Sequence, residues 1–233
     1  MNLHELMVQP LTGLLLTLLL YVFGLAIYRR SGGNPLANPV IVAMVVLVPL
    51  LIVTGTPYAE YFRGAQFIHF LLGPATVALA IPLHAQIRRL RTMFTPLVTA
   101  LLAGSATAVV SAVLIGRALG ASRETLLSLA PKSVTTPIAM GIAERLGGLP
   151  PLAAVLVILT GTLGIVVAQP IYRLLRIHDP ATRGFALGLA AHGIGTARAF
   201  QMNEISGAFA GLAMGLNGLL TAVMLPLLLP LLG

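Results

Sequence analysis

The run Ala130-Pro131-Lys132-Ser133-Val134-Thr135-Thr136-Pro137-Ile138-Ala139-Met140-Gly141 interrupts an otherwise apolar sequence. It holds Lys132, the only lysine of the chain, and the hydroxyls Ser133, Thr135 and Thr136 between two prolines. A proline lacks a backbone N–H and clashes with the turn before it, so a helix cannot run undisturbed through Pro131 and Pro137. In a membrane the backbone groups freed there must find partners in protein or line a polar cavity. A positive charge beside hydroxyls and loosened backbone suits a small anion. The expectation is a membrane carrier organised around this break.

The surrounding composition supports a membrane location. Of 233 residues, 58% are apolar and 9% are charged, whereas soluble domains carry about 25% charged residues. Too few polar groups remain to cover a water-facing surface. At roughly 20 residues per span the chain holds about seven or eight membrane segments. The expected fold is all-α and polytopic, with residues 1–233 forming one transporter domain. The first apolar run, Leu11 to Ile27, is long enough to span and has no basic region before it, so it reads as a span and not as a cleaved leader. The formal charge of +8 comes mainly from arginines in short loops between apolar runs. That is the pattern of cytoplasmic-side bias, not of nucleic-acid binding. With no cysteine there is no disulfide and no thiolate metal site, and no metal or other cofactor is expected.

No enzyme constellation is recognisable. Asp179 is the only aspartate, which excludes a paired-aspartate intramembrane protease. No two histidines stand at metal-ligand spacing, and no glycine-rich loop precedes a lysine. Lys132 and Ser133 make a poor catalytic dyad, because adjacent residues on a helix do not face each other. The bland reading of Lys132 is a side chain snorkelling to the membrane surface. Against it, no further charge follows until Glu144, and a charge at membrane depth usually faces a cavity or a pathway.

Spans are predicted at Pro10–Tyr28, Val40–Val53, Leu97–Ile115, Pro151–Tyr172 and Ser206–Leu232, with interrupted segments at Phe67–Leu83, Leu126–Ile142 and Gly184–Phe200. An outside amino end puts the loops holding Arg29-Arg30, Arg88-Arg89-Arg91 and Arg173-Arg176-Arg183 in the cytoplasm. That topology requires Leu126–Ile142 to enter and leave on the outer side, as a re-entrant element. A faint repeat aligns Leu72-Gly73-Pro74-Ala75-Thr76-Val77 with Leu129-Ala130-Pro131-Lys132-Ser133-Val134. It suggests halves at about 38–120 and 121–233, with breaks at matching positions marking a binding site. On that ground Gly73 and Pro74 become break candidates and Thr76 a site candidate.

The second polar run is Gly188-Leu189-Ala190-Ala191-His192-Gly193-Ile194-Gly195-Thr196-Ala197-Arg198. Gly184, Gly188, His192 and Thr196 recur every four residues and would share one helix face. Close helix packing accounts for the glycines but not for His192 and Arg198. Gly193 and Gly195 would let the backbone open towards a ligand. Arg198 offers a planar fork matched to a carboxylate. His192 is able to donate a hydrogen bond or to take up a proton near neutral pH. In the last span Gly207, Gly211 and Gly215 read as a packing stripe that permits a homodimer, with Asn217 either a hydrogen-bonding packing residue or a site neighbour.

These runs resemble a known family. Pro131 to Ala139 and His192 to Ala199 resemble the two signature runs of the LrgB/CidB family, and Leu72 to Ala80 resembles a third. The resemblance extends from about Asn38 to the end of the chain, in order. It implies one of two activities. Bacterial members are called antiholin-like and are tied to control of murein hydrolases and cell lysis. Some bacterial pairs are linked to pyruvate uptake, and the related plant chloroplast protein exports glycolate and imports glycerate. The resemblance also implies a bacterial cytoplasmic membrane and a separate, smaller LrgA/CidA-like membrane partner. With the residue chemistry it points to a small monocarboxylate held by Lys132 and Arg198, with Ser133, Thr135, Thr136 and Thr196 bonding its other oxygens.

Overall fold

The apolar runs fold as helices. The computed structural model describes residues 9–71, 74, 77–78 and 80–232, except the side chains of residues 10, 35 and 229–232. Gly73 and Thr76 lie outside the described residues, and with them most of the first interrupted segment. Pro74 is helical and exposed. Among the described residues there is no strand, as an all-α polytopic membrane protein requires. The chain forms two compact units, Met1–Ala78 and Leu79–Gly233.

In the first unit, helix α1 spans Pro10–Arg30, a short 3-10 turn covers Pro35–Ala37, α2 spans Pro39–Val53 and α3 spans Tyr58–Phe70. Proline starts α1 and α2, where its missing N–H costs nothing. Asn38 caps α2 by accepting from the Val40 N–H at 2.9 Å. The Thr17 hydroxyl of α1 meets the Tyr61 hydroxyl of α3 at 2.8 Å.

In the second unit the helices are α4 Ala80–Ala85, α5 Ile87–Thr92, α6 Phe94–Ala118, α7 Arg123–Leu129, α8 Thr136–Leu146, α9 Pro150–Leu174, α10 Pro180–Met202 and α11 Glu204–Leu232. Among the described residues four helices are long and apolar enough to cross a membrane: α1, α6, α9 and α11. With 25 residues each, α6 and α9 are roughly 37 Å long, more than the ~30 Å of a hydrocarbon core.

Two of the segments between these spans, residues 123–148 and 180–202, turn back on themselves. Helix α10 is two helical arms joined at His192, which has φ 43° and ψ −129°, and the chain reverses there. A Cβ at Gly195 would collide with the Leu187 carbonyl across the turn. At the base of the turn, the Ser206 hydroxyl donates to the Pro180 carbonyl at 2.8 Å. Residues 180–202 are therefore a hairpin whose outgoing arm is about 18 Å long, a little over half the core thickness. Residues 123–148 form a second hairpin. Here α7 leads in, Ala130 to Thr135 make the turn, and α8 leads out. The Leu149 N–H then returns to the Ser128 hydroxyl at 2.7 Å.

The two hairpins enter from opposite ends. One core cluster joins Leu97 and Leu101 of α6 to Ala181 and Phe185 of α10 and Phe209 and Ala213 of α11. Another joins Val109 and Val113 of α6 to Ala130, Ile142 of α8 and Leu225 of α11. Helices α6 and α11 thus run parallel, α9 returns packed against the two hairpins, and each hairpin follows a span. A span and a hairpin over residues 94–148 are followed by a span and a hairpin of opposite direction over residues 150–202. This is the inverted arrangement that puts two broken segments near mid-depth.

Candidate functional site

The hairpin tips meet at Asn217, which is 1% exposed in the middle of α11. Its amide nitrogen donates to the Ser133 carbonyl at 3.0 Å and to the Leu189 carbonyl at 3.1 Å. Its oxygen accepts from the Ser105 hydroxyl of α6 at 2.5 Å and from the Thr221 hydroxyl at 3.3 Å. Both carbonyls are ones that the breaks set free. Leu189 lies three residues before the reversal, which removes the N–H its carbonyl would meet in a continuous helix. Ser133 sits in the non-helical turn between the prolines. A side-chain amide has two donors and one two-acceptor oxygen, so all of Asn217's capacity goes to protein groups. It is the packing residue of the two alternatives, and it ties one tip to the other.

The second tip is fixed from α9. The His192 ring Nε2 lies 3.0 Å from the Val157 carbonyl, and since a carbonyl only accepts, Nε2 carries the proton. Val157 also packs on Val134 and Ala139 of the first hairpin. The Thr196 hydroxyl donates to the His192 carbonyl at 2.8 Å, one turn back along the returning arm. The turn falls one residue before the glycines that predicted it. Gly193 and Gly195 open the returning arm, and Gly195 is required for the close approach of the two arms, while a histidine takes the left-handed backbone.

At the first tip Pro131 lies in the turn and Pro137 in the first turn of α8, with Thr135 as the N-cap residue. The Thr135 side chain makes no capping bond. The Thr136 and Ile138 N–H groups therefore face the turn without intrahelical partners. Lys132 is half-buried and Ser133 is buried. Among the described residues none bonds the Lys132 ammonium or the hydroxyls of Ser133, Thr135 and Thr136. The returning arm of α10 likewise begins at the tip with its amino end. Each helix amino end carries about half a positive charge, so each break presents a positive end, and the first does so within the turn that holds Lys132. This is the type of arrangement that binds an anion.

Arg198 is placed differently. It lies six residues past His192, roughly 9 Å along the returning arm, and donates to the Gln201 side chain at 3.2 Å. The bonds that join the tips are made without it. The contributions of Asn217 and Val157 were not legible as such, because each acts through carbonyls of segments distant in sequence. The glycine stripe of α11 divides: Gly207 lies against the Phe200 ring, and Gly215 has nothing within 4 Å.

Comparison with known proteins gives one consistent answer. The LrgB-like family model matches residues 17–231. A protein of Bacillus subtilis (strain 168) named YwbG is 37% identical over 219 residues, covering 94% of this chain and 97% of that one. Antiholin-like protein LrgB of Bacillus mycoides (strain KBAB4) is 32% identical over 224 residues, covering 96% and 97%. The protein of the same name from Bacillus cereus (strain B4264) has the same identity and coverage. No solved structure gives a significant match.

Proposed function

The chain belongs to the LrgB-like family of multi-pass membrane proteins, and from that premise and the geometry of the tips we propose that it is a secondary carrier of small monocarboxylates. Pyruvate, glycolate and glycerate are the substrates to test. One observation carries the reading. An unpaired ammonium and three unpaired hydroxyls stand at the turn of one hairpin, and that turn is tied through Asn217 to the tip of the opposed hairpin. A carboxylate offers the complementary acceptors. Lys132 is the first counter-charge, Ser133, Thr135 and Thr136 bond the remaining oxygens, and Arg198 is a second cation on the approach. Opposed hairpins give each side of the membrane its own route to the tips, the requirement for alternating access. The end bearing Arg88, Arg89, Arg91, Arg173, Arg176 and Arg183 faces the cytoplasm under the charge-bias rule, in the cytoplasmic membrane of a bacterium. A small LrgA/CidA-like membrane protein is the proposed partner, and a homodimer is compatible with the exposed apolar spans.

Uptake of labelled carboxylates into vesicles carrying the purified chain, alone and with the small partner, tests the proposal. Saturable uptake is expected. Lys132→Ala should lower it by about 10- to 100-fold, the worth of a charge-assisted hydrogen bond. Intact transport in folded Lys132→Ala and Arg198→Ala proteins would disprove the site. A second reading is favoured by the names of the relatives: a regulator of cell lysis that carries nothing selectively. Release of unrelated dyes, unaffected by carboxylates, would support that reading instead.

A further inference from the structure

We propose, resting on the carrier reading above, that Lys132 carries one proton across the membrane with each carboxylate, so that the site carries the same net charge loaded and empty. The supporting observation is what surrounds this ammonium. It is half-buried at a hairpin tip, and no described residue pairs with it. An ammonium at membrane depth with no carboxylate beside it is costly, and shedding the proton removes the cost.

The acidic residues of the second unit are all remote from the tips. Glu124 is in the first turn of α7 and Glu144 lies eight residues into α8, roughly 12 Å from its start. Asp179 caps the base of the second hairpin and is bonded to Arg89, and Glu204 opens α11. Of the other two, Glu60 belongs to the first unit and Glu5 lies outside the described residues. In the second unit no carboxylate sits at tip depth to neutralise Lys132 or to hold a coupling cation.

The other charged or titratable groups of the elements packed round the turn are few. Helix α6 contributes Arg117 and α9 contributes Tyr172 and Arg173, each near the end of its helix. The bases of the first hairpin carry Arg123 and Arg145. Helix α10 contributes Arg183 near its base, His192 at the tip and Arg198 on the returning arm, and α11 contributes only Glu204. His192 already has Nε2 committed to Val157, and it stands on a backbone that its own ring bond holds in place. Lys132 is the polar group at the tips with three donors and no commitment.

The cycle balances. On one side a carboxylate enters and a proton from water binds the Lys132 amine, giving a neutral ammonium–carboxylate pair. After the site opens to the other side, the carboxylate leaves and the ammonium releases its proton to water. The neutral amine returns. One proton and one anion cross together, and no net charge moves.

Vesicles of the full chain, with the small partner if it is needed for uptake, test this with the membrane potential clamped. A gradient of one pH unit, acid outside, should drive the wild type to about a tenfold accumulation of carboxylate. An internal pH dye should report one proton entering per carboxylate. Lys132→Arg keeps a permanent positive charge and should still exchange labelled for unlabelled carboxylate, at a reduced rate, while its gradient-driven accumulation falls to a ratio of about 1. Accumulation by Lys132→Arg equal to wild type overturns the proposal. So does saturable wild-type uptake with no proton movement, a result that needs no variant and leaves the carrier reading standing. Absence of saturable uptake under every condition would remove the carrier reading itself.

Discussion

Replacing Asn217 by leucine should separate the two hairpin tips. The side chain is of similar size, so the main loss is hydrogen bonding. Three of the four bonds cross between segments: to the Ser133 carbonyl, to the Leu189 carbonyl and from the Ser105 hydroxyl. Interhelical hydrogen bonds within membranes average about 0.6 kcal/mol, with a ceiling of about 1.7. Three of them give about 2 kcal/mol and at most about 5. The upper part of that range is expected here, because both carbonyls were freed by breaks and have no helical N–H to return to. Reversible unfolding in mixed detergent measures the loss. A cycle with Ser105→Ala isolates one bond, and its coupling should be about 0.6 to 1.7 kcal/mol. A leucine variant within about 0.5 kcal/mol of wild type, the scatter of ordinary surface changes, would refute the assignment of Asn217 as the tie.

Two further outcomes follow from other parts of the second unit. Gly188→Ala should cost about 1–3 kcal/mol or more, because its new methyl would run into the Ala210 backbone carbonyl. Gly215→Ala, with nothing within 4 Å, should be neutral or gain up to about 1 kcal/mol from helix propensity; thermal melts in detergent compare the pair. Asp179→Ala should cost about 1 kcal/mol through the lost cap of α10. In the native chain, burial raises the Asp179 pKa, but bonds from the Thr182 N–H and hydroxyl and the charge of Arg89 outweigh it and hold it below the usual value. Its contribution to stability is therefore complete above the unfolded value near 4 and is lost as pH falls through the lower native value. Acid titration of unfolding should show this limb in wild type and lack it in the variant.

The first break was legible because proline announces itself. Pro131 and Pro137 each remove a donor, so the turn between them and the exposure of Lys132 to it follow from local chemistry. The charge bias of the loops carried further than its simplicity suggests. It demanded a re-entrant segment near Leu126–Ile142, and residues 123–148 do enter and leave at one end. What stayed hidden depends on partners far along the chain. Asn217 meets groups 28, 84 and 112 residues away, and no local pattern encodes those distances. The second hairpin was read as a helix opened by glycine, since an apolar run with glycines has the same composition whether it crosses or turns back. The distinction lies in the Ser206 bond to Pro180 and in the arms meeting at Gly195.

The position of the second turn poses a sharper question. Glycine tolerates φ 43° with ψ −129°, and Gly193 stands next in the chain, yet His192 occupies the turn. A non-glycine residue there costs on the order of 1–3 kcal/mol, and such strain persists only where its surroundings over-determine it. The surroundings here are specific. The ring bonds the Val157 carbonyl, the same residue packs on Val134 at the other tip, and Thr196 caps the strained carbonyl. One hydrogen bond of about 1 kcal/mol offsets the lower part of that cost, and the ring seats against Gly161 of α9, where an added methyl would collide with it. If the turn served only to reverse the chain, glycine at 192 would do so with less strain. A histidine placed there fixes the second tip against α9, and thus against the turn that presents Lys132. The strain belongs to holding two breaks in register, which a site formed from both of them requires.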